Sequence, residues 1–218
     1  VTARLILVRH GETEGNVAKL LDTRLPGLAL TERGVAQAKS FGSTLPGPPA
    51  GLFSSAALRA RETAAQIEAV TGVAAQVLDD MFEVQAGDLE GRSGADALGA
   101  FHDIYRSWHE GDLDRRIPGG ESGTDVLDRV VPVLDRLRTD YLDNATGDIL
   151  VVSHGALMRL VGRVVGGVTP PFSTDNHLDN TETIELVPRA GGWDCVRWGR
   201  FTPPFGSGAH TETDDPMG

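Results

Sequence analysis

The stretch Leu5-Ile6-Leu7-Val8-Arg9-His10-Gly11-Glu12-Thr13-Glu14-Gly15-Asn16 decides how this chain is read. An unbroken aliphatic run, Leu5 to Val8, stops at an arginine, a histidine and a glycine. A second string, Ile149-Leu150-Val151-Val152-Ser153-His154-Gly155, repeats the pattern near the other end. Such runs read as parallel strands buried on both faces. Open α/β sheets build their sites beyond the carboxyl ends of their strands. The two strings therefore deliver His10 and His154 to one sheet edge, with Arg9 fused to the first. That combination points to chemistry on an anion.

Between these strands the chain alternates. Residues 17 to 30 read as loop, with Pro26 and Gly27. Thr31 caps a helix through about Leu45, whose face is Val35, Ala38, Phe41 and Leu45. Leu52 to Ser54 is a short strand, Ala57 to Val70 a helix ending near Gly72, and Ala75 to Leu78 a third strand. A helix is expected around Ala97 to Trp108. Ser122 with Asp125 resembles a capping box before the helical spacing of Val126, Val130, Val133, Leu134 and Leu137. A helix from Ala156 to about Val165 follows the His154 strand. Thr183 to Val187 and Asp194 to Trp198 close the fold as a strand pair. The expected architecture is a three-layer α/β/α sandwich with a mostly parallel central sheet. It forms a single domain over residues 1–202, and residues 203–218 are read as a flexible C-terminal tail.

The net charge of −11 over 218 residues argues against a nucleic-acid or membrane-surface partner, which would call for a basic face. Only Lys19 and Lys39 are lysines among 20 basic residues, so arginine must handle any anion. Its planar fork suits phosphate oxygens. Cys195 is alone, no stretch reaches the ~18 apolar residues of a membrane span, and no signal peptide is visible. A soluble, cytoplasmic protein is expected, although Val1 in place of Met leaves the true start open. A homodimer is kept open.

No P-loop string, Gly-x-Ser-x-Gly elbow or His-Glu-x-x-His occurs. A metal held by His10, His154 and a carboxylate is the weaker alternative to a metal-free site.

Two further strings complete a set of four in chain order: Phe53-Ser54-Ser55-Ala56-Ala57-Leu58-Arg59-Ala60-Arg61-Glu62-Thr63-Ala64 and Phe82-Glu83-Val84-Gln85-Ala86-Gly87-Asp88-Leu89-Glu90-Gly91; Leu30-Thr31-Glu32-Arg33-Gly34-Val35-Ala36-Gln37-Ala38 and Pro118-Gly119-Gly120-Glu121-Ser122 accompany them. With these four segments in order, from Leu5 to about Leu186, the chain resembles the histidine phosphatase superfamily, in the branch that holds the cofactor-dependent phosphoglycerate mutases and their phosphatase relatives. The resemblance implies a phosphoglycerate mutase-like fold and phosphoryl transfer through a histidine. His10 is then the nucleophile. Arg9 and Arg59 fork onto the phosphoryl oxygens, and His154 donates to the same oxygens. Gly155 lets the backbone approach closely at a helix N-terminus. Asn16 and Thr13 add neutral hydrogen bonds, with loop capping an equal reading for Thr13. Glu83 is the general acid, and Glu90 its rival, read as structural. Arg61 is a solvated helix residue. Phe82, Ala56 and Glu62 depart from residues common in the family. His102, His109 and His177 are read as surface or pocket-rim residues, with substrate contact open to His177. Trp108, Trp193 and Trp198 are read as core.

The expected function is metal-independent hydrolysis of a small phosphorylated metabolite, with no cofactor. One alternative is a cofactor-dependent phosphoglycerate mutase. The stretch Gly91-Arg92-Ser93-Gly94-Ala95-Asp96-Ala97-Leu98-Gly99 is short and nearly without basic groups, unlike the longer insertion of the family's mutases. Arg115 and Arg116 compensate only if they fold over the pocket. A catalytically idle module that binds phosphorylated ligands is the alternative from another class. The retention of His10, Glu83 and both arginines argues against it.

Overall fold

Leu5–Arg9 (β1) and Ile149–Ser153 (β4) are buried at every position and pair in parallel, with Arg9 opposite Ser153. Gly51–Ser55 (β2) joins the other edge of β4, and Ala75–Leu78 (β3) joins β2, both in parallel. Thr183–Arg189 (β5) runs antiparallel to β1, and Gly192–Trp198 (β6) antiparallel to β5. The sheet order is β3-β2-β4-β1-β5-β6. In this computed structural model the described residues are 2–143, 147–206, 215, 217 and 218.

Side chains alternate across a strand, so the two faces of the sheet carry separate cores. Ile6, Val8, Leu52, Leu150 and Val152 face Glu32–Thr44 (α2) and Leu58–Thr71 (α3), a pair separated in sequence from Glu14–Val17 (α1). Leu5, Leu7, Phe53, Ile149 and Val151 face Ala95–Glu110 (α4), Gly123–Leu137 (α5) and Gly155–Val164 (α6). The α/β/α sandwich and its mostly parallel sheet are thus as expected. A short helix, Phe172–Asp175 (α7), and a π turn at Arg138–Leu142 had no periodic signal.

The helix signals acted as read. Thr31 accepts from the Gly34 amide, and Ser122 exchanges both capping-box bonds with Asp125. Gly72 ends α3 in the left-handed region, at φ 74°. The buried face of α2 differs from the aliphatic stripe expected: Gly34, Ala38 and Gly42 are buried, while Val35, Phe41 and Leu45 are only half-buried. A methyl group at Gly42 would stand 3.3 Å from the Val70 Cβ, so small residues let α2 lie close to α3.

The three tryptophans are buried. His109 is not at the surface: it follows Tyr105 by four residues on the buried stripe of α4 and is fully buried against the Ser173 hydroxyl at 3.1 Å. Of the tail expected to be flexible, residues 207–214 and 216 lie outside the described residues. Phe205 packs tilted against Phe172, with ring centres 5.0 Å apart, Asp215 pairs with Arg9, and Met217 is buried in the larger core.

Candidate active site

The parallel pairing of β1 with β4 brings the two histidines together, because each follows its strand by one residue. The His10 amide donates to the Ser153 carbonyl at 3.1 Å, and the His10 and His154 ring centres are 5.3 Å apart. His10 Nδ1 donates to the Gly11 carbonyl at 2.8 Å, which leaves Nε2 with its lone pair available. Arg59 Nε donates to that Nε2 at 3.2 Å. Burial first, then the Arg59 and Arg9 charges, hold the His10 pKa well below the usual histidine range, so the ring is neutral at neutral pH. A neutral imidazole with a committed Nδ1 and a lone pair on Nε2 is the form that attacks phosphorus.

Arg59 and Arg9 are both buried. Arg59 reaches the site from the first turn of α3, where Thr63 Oγ1 donates to the Arg59 carbonyl and accepts from the Gly11 amide, tying the helix to the His10 loop. Asp22 pairs with Arg59 at 3.4 Å. Arg61, two positions along, is exposed. Arg9 donates to the Leu178 carbonyl at 2.5 Å and to the Asp215 carboxylate, while its buried Nε has no partner.

His154 is fully buried, and its Nε2 lies 2.6 Å from the Ser55 hydroxyl at the end of β2. Ser55 also accepts from the Ala57 amide, and in the tautomer in which its own proton goes to His154 Nε2 the ring hydrogen sits on Nδ1. The buried Nδ1 of His154, without a partner among the described residues, is then the nitrogen left to donate. At Gly155 any side chain would collide with the Met217 carbonyl and stand 3.2 Å from Arg9 Nε, so glycine is required by close approach.

Glu83 is buried and accepts from the amides of Val84 (2.7 Å), Leu157 (2.9 Å) and Ala156 (3.2 Å), at the N-terminus of α6 beside His154. Burial raises its pKa above the usual carboxylate range, against those amides and Arg59. Its loop is held by Arg129, which donates to the carbonyls of Asp80, Phe82 and Glu83, pairs with Glu121 at 2.7 Å and stacks on the Phe82 ring. Glu90 points elsewhere: it accepts from Thr23 and from the Arg24 amide, and so fastens the loop after α1.

Thr13 caps α1, its hydroxyl accepting from the Asn16 amide at 3.1 Å. The Asn16 side-chain carbonyl accepts from the Thr13 amide and from Asn180, which also holds the His10 carbonyl at 3.0 Å. Sequence reasoning assigned nothing to Ser55, Thr63, Asp22, Asn180 or Asp215. Of these, Thr63 had a usable signal, since it follows Arg59 by four residues and shares its helix face. Among the described residues no three His, Cys, Asp or Glu side chains converge as a metal site. No described helix is long and apolar enough to cross a membrane.

The description "Histidine phosphatase superfamily (branch 1)" matches residues 5–200. The chain belongs to this superfamily. Its fold is that of the phosphoglycerate mutase-like phosphatases, and it is an enzyme of that class. It is 45% identical over 206 residues to the PE-PGRS family protein PE_PGRS11 of Mycobacterium tuberculosis, a match covering 88% of this chain and 35% of that longer protein. It is 34% identical to the adenosylcobalamin/alpha-ribazole phosphatase of Salmonella typhimurium, over 74% of this chain and 79% of that one. The 2,3-bisphosphoglycerate-dependent phosphoglycerate mutase of Methylobacterium radiotolerans is also 34% identical, over 76% and 80%. The solved mycobacterial glucosyl-3-phosphoglycerate phosphatase superposes with a TM-score of 0.75 at 25% identity, over 90% of this chain and 98% of its own.

Proposed function

We propose that this histidine phosphatase hydrolyses small phosphomonoesters without a metal, through a phosphohistidine on His10. One observation carries the reading: a neutral His10, its Nδ1 bound to the Gly11 carbonyl, presents Nε2 beside Arg59, with Arg9 and His154 buried at the same sheet edge. Nε2 attacks phosphorus as the ester P–O bond breaks. Arg9, Arg59 and a hydrogen on His154 bind the phosphoryl oxygens as charge spreads over them. Glu83, whose protonated form is favoured by its raised pKa, gives its proton to the departing alkoxide. In the second half, water attacks the phosphohistidine, the Glu83 carboxylate takes up a proton from it, and inorganic phosphate leaves His10 free.

The relative named as a mutase favours a second reading, phosphoryl exchange between substrates. Residues 91–99 supply one arginine, and Arg115 and Arg116 are engaged with Asp103 and Asp125, which supports hydrolysis instead. The test is hydrolysis of an aryl phosphate in EDTA, with acid quenching to trap labelled enzyme. Acid-labile phosphate on His10, absent in His10→Ala, is the expected result. Label on serine or aspartate, or activity restored only by added zinc or magnesium, overturns it. Isomerisation of phosphoglycerate faster than its hydrolysis establishes the mutase.

A further inference from the structure

Arg159, on the second turn of α6, is a buried cation that pairs with no Asp or Glu side chain among the described residues. Its hydrogen-bond partners there are the backbone oxygens of Ser173, Thr174 and Gly218 and the Nδ1 of His177, and its Nε has none. The backbone oxygens and the nearby Tyr105 ring ease its desolvation. Beside it lies a cavity of about 90 Å³ lined by His102, Arg106, His109 and His177 as well. Burial, then the Arg159 charge, pushes His177 down to about 3, so that ring is neutral while Arg159 and Arg106 bring positive charge to the cavity. Asp175 lies 3.7 Å from the exposed Arg106.

This cavity adjoins the phosphoryl site. Its Tyr105 donates to the Ala156 carbonyl in the first turn of α6, and Arg9 holds the Leu178 carbonyl next to His177. The chain itself marks the path between the two. The Asp215 carboxylate sits on Arg9, the Met217 carbonyl lies over Gly155, and the Gly218 carbonyl accepts from both Arg159 and His177. Asp215 and Gly218, which place oxygens on Arg9 and on Arg159, are three residues apart, at most about 11 Å between their Cα atoms.

We propose that Arg159, His177 and Arg106 form a subsite for a carboxylate carried by the same substrate as the phosphoryl group, with the Asp215 carboxylate and the Gly218 backbone oxygen standing in for the two ends of such a ligand. A carboxylate suits the site better than a second phosphate, because Asp175 opposes a dianion. A guanidinium–carboxylate pair also gives Arg159 a strong charge-assisted partner. This rests on the phosphatase reading only in taking the first site to bind a phosphoryl group.

The test is calorimetric binding, to the full chain, of ω-phosphonocarboxylates with two to six carbons against their carboxamides. These do not turn over, so the outcome is independent of whether aryl phosphate is hydrolysed. The acid is expected to bind at least about 10-fold more tightly than the amide at one chain length, the scale of one charge-assisted pair. Arg159→Gln should reduce that ratio to near 1. Arg106→Gln and His177→Gln, at less buried positions, should each reduce it in part and keep the result readable if the buried variant does not fold. Equal binding of acid and amide at every length, a ratio unchanged in these variants, or tighter binding of a bisphosphonate than of the matched phosphonocarboxylate overturns the proposal. Loss of aryl phosphate hydrolysis with the acid preference intact would count against the phosphatase reading alone.

Discussion

Arg59 donates from Nε to His10 Nε2 at 3.2 Å, so a guanidinium rests on the one ring nitrogen that carries a lone pair into the site. The contact helps keep the ring unprotonated. It also places the cation where the oxygens of an incoming phosphoryl group must settle. In the proposed reaction Nε2 bonds to phosphorus, and Arg59 loses its nitrogen acceptor and turns its donors to those oxygens. The interaction is therefore stronger in the transition state than in the free enzyme, which is the requirement for catalysis.

Arg59→Ala should lower kcat by about 10²–10³, the scale of losing one preorganised charge stabiliser. Arg61→Ala, at an exposed position on the same helix, should leave kcat within about a factor of two, since surface changes of this kind are small. Steady-state kinetics of the two variants decides it. An equal loss at Arg61 would mean that the other arginine holds the phosphoryl group.

Glu83→Gln should slow phosphohistidine formation from alkyl phosphates by about 10²–10⁴, and from nitrophenyl phosphate far less, because nitrophenolate departs without a proton. Burst kinetics must read this, since Glu83 also serves the later water attack. The pH dependence follows from two opposite shifts. His10 must be neutral, and its lowered pKa moves the acid limb below the usual histidine range. Glu83 must be protonated, and its raised pKa moves the alkaline limb above the usual carboxylate range. Rates on alkyl phosphates should fall as pH rises through the Glu83 pKa, and that limb should vanish in Glu83→Gln. The same limb in both proteins would assign it elsewhere.

Ser55→Ala should lower kcat about 10-fold with little change in KM. The hydroxyl fixes the His154 ring without being placed on substrate, and one hydrogen bond is worth about 1 kcal/mol. Ser55→Thr should restore part of the loss. NMR of the His154 ring should show a changed tautomer ratio in Ser55→Ala, and an unchanged ratio would argue that Ser55 only fills space.

Glu90→Ala should cost about 2 kcal/mol of stability, since it removes charge-assisted bonds to Thr23 and to the Arg24 amide. Thermal unfolding measures that loss. The variant should show no dependence on leaving group. If it shows the dependence expected of Glu83, the two carboxylates have exchanged roles.

The sequence by itself determined the six strands and the long helices, though not the short α7. Period-two and period-3.6 patterns, with caps at Thr31 and Ser122, are local and survive without knowledge of the fold. It also placed His10 and His154 at strand ends, and it separated Arg59 from Arg61 because two positions on a helix face apart. Tertiary structure decided what depends on strand order. Only when β4 lies between β2 and β1 does Ser55 meet His154, 99 residues away, and only then does Glu83 reach the amides of Ala156 and Leu157. The burial of His109, the burial of Arg159 and the seat of Asp215 on Arg9 were equally out of reach. Each is a contact between segments with no shared period, fixed by which surfaces the folded sheet leaves facing one another.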